Sequence, residues 1–178
     1  LTSPVTIVGN SLGSLIGLNV ARNLPSKVEQ VLISGSAGFG KVNLDIRLSR
    51  NESENIARHL MGLICHDQKM VSEKDILQTA ESFNQNLRNI VGLIRDSNTI
   101  NGEELMSKVH CPVSAIWGAQ DVITPFDEIK PVFEKLDIPF KLIDGCGHSP
   151  MYERPEEFAE WVNQCLVDYQ DLKMTKVA

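Results

Sequence analysis

Three residue types in this chain could together move an acyl group, and each stands where a short apolar run gives way to a loop. Ser11 is the centre of Gly9-Asn10-Ser11-Leu12-Gly13, Asp121 ends Trp117-Gly118-Ala119-Gln120-Asp121, and His148 closes Asp144-Gly145-Cys146-Gly147-His148. A serine hydroxyl is a weak nucleophile at its free pKa, so a base must take its proton as it attacks. An imidazole titrates near neutral pH and can accept that proton, then return it to the leaving group. A carboxylate beside the ring fixes its tautomer and stabilises the imidazolium. Asp127 and Asp144 are fallback acids; Asp144 shares a loop with His148, which makes it the weaker choice. The bland readings are a Gly-rich connection, a turn aspartate and an ordinary loop histidine. His59, His66 and His110 read as surface or capping residues, and Cys146 is a competing nucleophile in a poorer setting than Ser11.

The surrounding elements must bring these residues together. Val5–Val8 is a β-branched run and Leu12 to Leu24 is apolar and helix-like, so Ser11 sits at the apex of strand, tight turn and helix. That turn holds a hydroxyl strained and exposed above the end of a sheet. Gly9 and Gly13 are expected to be glycines because a Cβ at either would clash where strand and helix meet. Three more strands are expected at Val28–Ile33, Val113–Trp117 (opened by Pro112) and Phe140–Ile143. Ser11, Asp121 and His148 then all lie past the carboxyl ends of strands, where ligands collect in open α/β sheets. The small residues of Ser34-Gly35-Ser36-Ala37-Gly38-Phe39-Gly40 let backbone pass close to a pocket mouth.

Between the second and third strands the pattern becomes helical. Ile56, Leu60, Leu63 and Ile64 recur at helical spacing, and Ser72 with Asp75 reads as an N-cap with an acidic third position. Ile76, Leu77, Ala80, Phe83 and Leu87 continue one face, which Ile90, Val91 and Ile94 extend. Met61, Met70, Phe83 and Met106 are the pool from which an acyl-binding wall could be drawn; none is assigned to the site. A last helix opens at Pro155, with Glu156 and Glu157 in its first turn. Phe158, Trp161, Val162, Cys165, Leu166 and Tyr169 form its apolar face. The expected organisation is 1–40 and 110–170 as two parts of an α/β core, 41–109 as a helical segment whose bland reading is an independent module, and 171–178 as a frayed tail.

With these blocks on the page, the chain resembles the α/β-hydrolase fold family. The likeness rests on the elbow around Ser11, on Trp117 to Asp121 with Pro125, and on Gly147-His148-Ser149-Pro150 with Glu153, Pro155, Glu156 and Phe158. It implies a mostly parallel sheet with crossover helices, Ser11 as nucleophile, Asp121 as acid, His148 as base and the Leu12 backbone N–H as an oxyanion donor. It implies that the helical segment is a cap inserted over the active site. It implies neither cofactor nor metal. A serine in the elbow argues against the epoxide- and haloalkane-cleaving branches, which carry an aspartate there. The family's order places strands, and the loop with the second oxyanion N–H, before the elbow. The expectation is therefore a carboxyl-terminal portion of the domain, inactive alone, with Val5–Val8 as an exposed edge.

Composition narrows the partners. Hydrophobic residues are 42%, charged residues 22%, and the net charge is −6. That balance argues against nucleic acid, which calls for a basic stripe, and no apolar run approaches a membrane span. Cys65, Cys111, Cys146 and Cys165 fit neither a zinc spacing nor a dense disulfide framework, so they read as free thiols of a cytoplasmic protein. The oligomeric state is left open. The expected function is acyl transfer by a Ser-His-Asp triad on an ester-like, lactone-like or carbon–carbon bond of a small molecule. A small-molecule receptor or a cofactor-free perhydrolase would keep the same residues.

Overall fold

Runs as short as Val5–Val8 and Val28–Ile33, rich in β-branched residues, suit strands buried in a parallel sheet. The computed structural model describes residues 3–40 and 53–175, apart from the side chains of Leu87, Arg88, Val91 and Ile94. The first residues of the expected cap (41–52), the end of the expected tail (176–178) and those side chains lie outside the described residues. Four strands, β1 (Val5–Asn10), β2 (Val28–Ser34), β3 (Val113–Gly118) and β4 (Phe140–Ile143), form one sheet in the order β1-β2-β3-β4. Every neighbouring pair is parallel.

Strand periodicity sorts the core into two faces. On one, Val31, Ile33, Ala115 and Trp117 pack with Leu15 and Leu18 of α1 (Leu12–Asn23) and with Phe126, Ile129 and Phe133 of α5 (Phe126–Lys135). On the other, Leu32 and Ile116 pack with Trp161 and Cys165 of α7 (Pro155–Thr175). β2 and β3 are buried almost throughout, whereas β1 at the sheet edge leaves Val8 47% exposed.

Between β2 and β3 lie α2 (Ser53–Ile64), a 3-10 turn (Gln68–Met70), α3 (Glu73–Ser97) and α4 (Gly102–Met106). The Ser72 cap closes as expected: its Oγ accepts from Asp75 N at 3.2 Å and its N donates to Asp75 Oδ2 at 3.0 Å. α2 and α3 meet through Ile56, Leu60 and Phe83, and through Ala57, Ile76 and Ala80. Leu77 departs from the expected face. It is 52% exposed, because one residue of helical rotation turns it away from the α2 side that Ile76 and Ala80 occupy.

The expected tail from Asp171 is also corrected, since α7 continues through Thr175. The last turns have partners: Lys173 pairs with Glu29 and lies 4.7 Å from the centre of the Tyr169 ring. α6 (Pro150–Glu153) is a single turn just ahead of α7. No described helix is long and apolar enough to cross a membrane.

Phe133 is fully buried among Trp117, Phe126 and Phe140. Phe133→Ala is expected to lower unfolding free energy by about 3–5 kcal/mol. Urea denaturation checks this, and a loss below about 1 kcal/mol would mean that the ring is not packed there.

Candidate active site

The turn after β1 is built around one backbone conformation. Ser11 has φ 53° and ψ −124°, a region that residues with a side chain rarely enter and that costs about 1–3 kcal/mol. Hydrogen bonds from β2 hold it there. Ser11 N donates to Ser34 O at 2.8 Å. The buried Ser14 hydroxyl accepts from Ser34 N at 3.1 Å and shares its own proton between Gly9 O at 2.7 Å and Ser34 O at 2.9 Å. The steric expectation holds at Gly9, where an added Cβ would stand 2.6 Å from the Gly13 carbonyl carbon. At Gly13 it does not, because a Cβ there would meet nothing within 4 Å among the described residues. The close approach is from the strand side to the helix backbone, so only the strand residue must lack a side chain.

The β3 exit carries the acid candidate. Asp121 has no exposed side-chain surface, and a buried carboxylate needs donors around it. Its Oδ1 accepts from Ile123 N and Thr124 N, both at 2.9 Å. Its Oδ2 accepts from Thr124 Oγ1 at 2.8 Å and from His148 Nδ1 at 2.9 Å. In the neutral ring, an Nδ1 that donates to the carboxylate leaves Nε2 as the acceptor nitrogen. The fallback acids are elsewhere: Asp127 is exposed in the first turn of α5, and Asp144 accepts from Gln120 Nε2 at 2.9 Å. That amide holds the exposed Asp144 carboxyl below its usual range.

Two contacts seat the imidazole that sequence reading did not find. Gly35, with φ 52°, lies against the ring, so a Cβ would stand 2.8 Å from His148 Cε1. Asn10 Nδ2 donates to His148 O at 3.0 Å, tying the residue before Ser11 to the loop after β4. The glycine-rich exit of β2 was the signal for the first. Asn10 carried no signal of its own beyond membership of the elbow.

Ser11, Leu12 and His148 line one cavity of about 250 Å³, with Ala37, Leu60, Ile64 and Ile123 as apolar walls. The walls from α2 are Leu60 and Ile64 rather than the expected methionine pool. Met61 and Phe83 face a neighbouring cleft of about 490 Å³ between α2 and α3, which also touches Leu60 and Ile64. Met106 packs into the core and Met70 is partly exposed. As first residue of α1, Leu12 presents an N–H with no intrahelical acceptor, at a helix end that favours negative charge.

Cys146 is excluded as a nucleophile on physical grounds. Burial and the nearby Glu153 carboxylate push its thiol up to about 12, so it is not a thiolate at neutral pH. Burial likewise pushes Cys65 up to about 11. Among the described residues no cluster of His, Cys, Asp and Glu could hold a metal ion.

Comparison with known proteins places the chain in a family. Residues 1–161 match the Alpha/beta hydrolase family, and the chain belongs to it. Over 92% of its length it is 21% identical to the 2-hydroxy-6-oxo-6-phenylhexa-2,4-dienoate hydrolase of Comamonas testosteroni. Over 87% of its length it is 26% identical to the 2-hydroxy-6-oxo-6-(2'-aminophenyl)hexa-2,4-dienoic acid hydrolase of Metapseudomonas resinovorans. The chain spans 61% and 57% of the lengths of these two relatives. A solved serine hydrolase involved in carbazole degradation shares the fold at a TM-score of 0.68 and 21% identity, with 97% of this chain and 65% of that one covered.

The glycine geometry predicts opposite outcomes at two sites. Gly35→Ala combines a positive φ with contact on His148 and is expected to cost at least about 1–2 kcal/mol. Gly13→Ala, in open space on a helix, should be neutral or stabilise by up to about 1 kcal/mol. Chemical denaturation of both checks this, and a tolerated Gly35→Ala would mean that the ring is not seated there.

Proposed function

We propose that this member of the α/β hydrolase family is a serine hydrolase that passes the acyl part of a small carbonyl compound first to Ser11 and then to water. The observation that carries the reading is His148, paired with the buried Asp121 at 2.9 Å, lining one cavity with a serine held at φ 53°. In the first half-reaction Ser11 Oγ adds to the carbonyl carbon while its proton moves to His148 Nε2. The carbonyl oxygen becomes an oxyanion, which the Leu12 N–H receives. The tetrahedral intermediate collapses, the bond to the leaving group breaks, and the imidazolium returns its proton to that group. Water then adds to the acyl-enzyme by the same route and releases the acid. Asp121 keeps the proton of the resting ring on Nδ1 throughout.

The cavity speaks to the substrate. At about 250 Å³ it lies below the usual range of roughly 300–1,000 Å³ for drug-sized ligands. Its walls are mostly aliphatic, so an apolar acyl group of modest size fits best. An ester meets these requirements. So does a ketone cleaved beside its carbonyl, and the oxo-dienoates named for the relatives carry such a keto group. The helices between β2 and β3 act as a cap in this reading, with Leu60 and Ile64 as the walls they contribute.

Labelling of the protein by a fluorophosphonate tests the nucleophile without knowledge of the substrate. Ser11→Ala should abolish the label, and undiminished labelling would overturn the assignment. Asp121→Asn should lower turnover by about 10⁴-fold through the wrong ring tautomer, whereas Asp144→Asn should not. Substrate size has its own test in a series of p-nitrophenyl esters. Leu60→Ala removes the partition toward the second cleft and should raise octanoate over acetate selectivity by about tenfold or more. An unchanged profile would remove Leu60 from the acyl wall.

A further inference from the structure

Glu153 is a buried carboxylate that the reaction above does not use. It is 2% exposed, at the end of the single-turn α6, five residues after His148. Its oxygens are met by main-chain donors from two stretches far apart in sequence, with a weak side-chain contact from Cys146 Sγ to Oε1 at 3.9 Å. Oε1 accepts from Gly147 N at 2.7 Å. Oε2 accepts from His66 N at 2.6 Å and from Asp67 N at 3.1 Å. His66 and Asp67 stand just past Cys65, which follows the last residue of α2, the helix that supplies Leu60 and Ile64 to the cavity. A further bond joins the same stretches, with His148 N donating to Ile64 O at 2.8 Å. An added Cβ at Gly147 would stand 2.7 Å from Ile64 O, so the two stretches touch backbone to backbone. One residue back, Tyr152 Oη donates to Asp75 Oδ2 at 2.9 Å and to Met70 O at 3.2 Å, which extends the junction to the start of α3.

We propose that Glu153 is the positioning residue for His148: its ionised carboxylate fastens the base loop to the end of α2, so that the base and the apolar wall of the cavity keep one fixed relation. The significance of that relation for the reaction rests on the role proposed for His148. The chemistry explains why a carboxylate stands here. Two acceptor-only oxygens face donors on both sides, and an ionised acceptor forms shorter and stronger bonds than a neutral one. A glutamine would carry one acceptor oxygen and one donor NH₂, so one side would face an N–H with an N–H. The base loop or the α2 end must then let go. An aspartate keeps the charge but is one methylene shorter and can serve one side at a time.

The test reads the ring first and the reaction second. In protein labelled with ¹⁵N-histidine, the His148 Nδ1–H resonance reports its bond to Asp121, and exposed His110 is the internal control. Glu153→Gln, at a temperature where the variant is folded, is expected to broaden or shift the His148 resonance and leave His110 unchanged. It should also slow fluorophosphonate labelling of Ser11 by about tenfold or more, as expected when a buried donor loses its acceptor. Glu153→Asp should show the same effect in milder form and is the deciding variant if the glutamine protein does not fold. A folded variant with an unaltered His148 resonance and labelling rate overturns the proposal, as does failure of both variants to fold, which would make Glu153 a general scaffold residue. If the wild-type protein shows the His148–Asp121 resonance but no serine label, the hydrolase reading fails, and the ring readout still decides the role of Glu153.

Discussion

A carboxylate without solvent must be surrounded by donors, and the architecture at the carboxyl edge of this sheet follows from meeting that demand at Asp121. Its four hydrogen bonds include two from the backbone of the turn that follows β3, which give that turn its shape. One more comes from Thr124, and the last draws in the His148 ring. Once the ring is there, the residue beneath it can have no side chain, which is the place of Gly35. The loop after β4 must also end close to the elbow, where Asn10 meets the His148 carbonyl. Satisfaction of one buried charge thus reaches β1, β2, β3 and the loop after β4.

The strain at Ser11 is sustained by the same network. A positive φ on a residue with a side chain persists only where its surroundings over-determine it. Here Ser34 does so through both its N–H and its C=O, with the Ser14 hydroxyl as intermediary. Ser34 belongs to β2, whose hydrophobic side chains are buried on both faces of the sheet. The rigid middle of the sheet therefore holds the exposed turn at its edge. Rigidity supplied from a core and used on a loop is how scaffolds position reacting groups.

A second buried carboxylate repeats the logic in a different place. Asp121 binds a ring, while the strong bonds of Glu153 come from backbone, and what it joins are the loop after β4 and the end of α2. Helices that contribute walls to a cavity can serve selectivity only if their position is tied to the reacting groups. Packing within the helical segment, through Ile56, Leu60 and Phe83, holds α2 to α3. The hydrogen bonds at Gly147, His148 and Tyr152 hold the segment to the loop after β4.

Local pattern was enough to read the strands, the terminal helix, the Ser72 cap and the three residues past strand ends, because periodicity and turn chemistry are written over a few neighbouring residues. β1, β2 and β3 each run one or two residues further than that pattern shows, since pairing with a neighbour continues a strand into residues of low intrinsic preference such as Gly9 and Asn10. The helix through Thr175 and the outward turn of Leu77 were likewise decided by partners distant in sequence. At the site, types and order were legible, but the choice among Asp121, Asp127 and Asp144 as neighbour of His148 depends on which loop reaches the ring. So do the wall made by Leu60 and Ile64, the seat at Gly35 and the clamp at Glu153. Each joins segments tens of residues apart, and such contacts are set by how layers pack on the sheet, which no short stretch of sequence encodes.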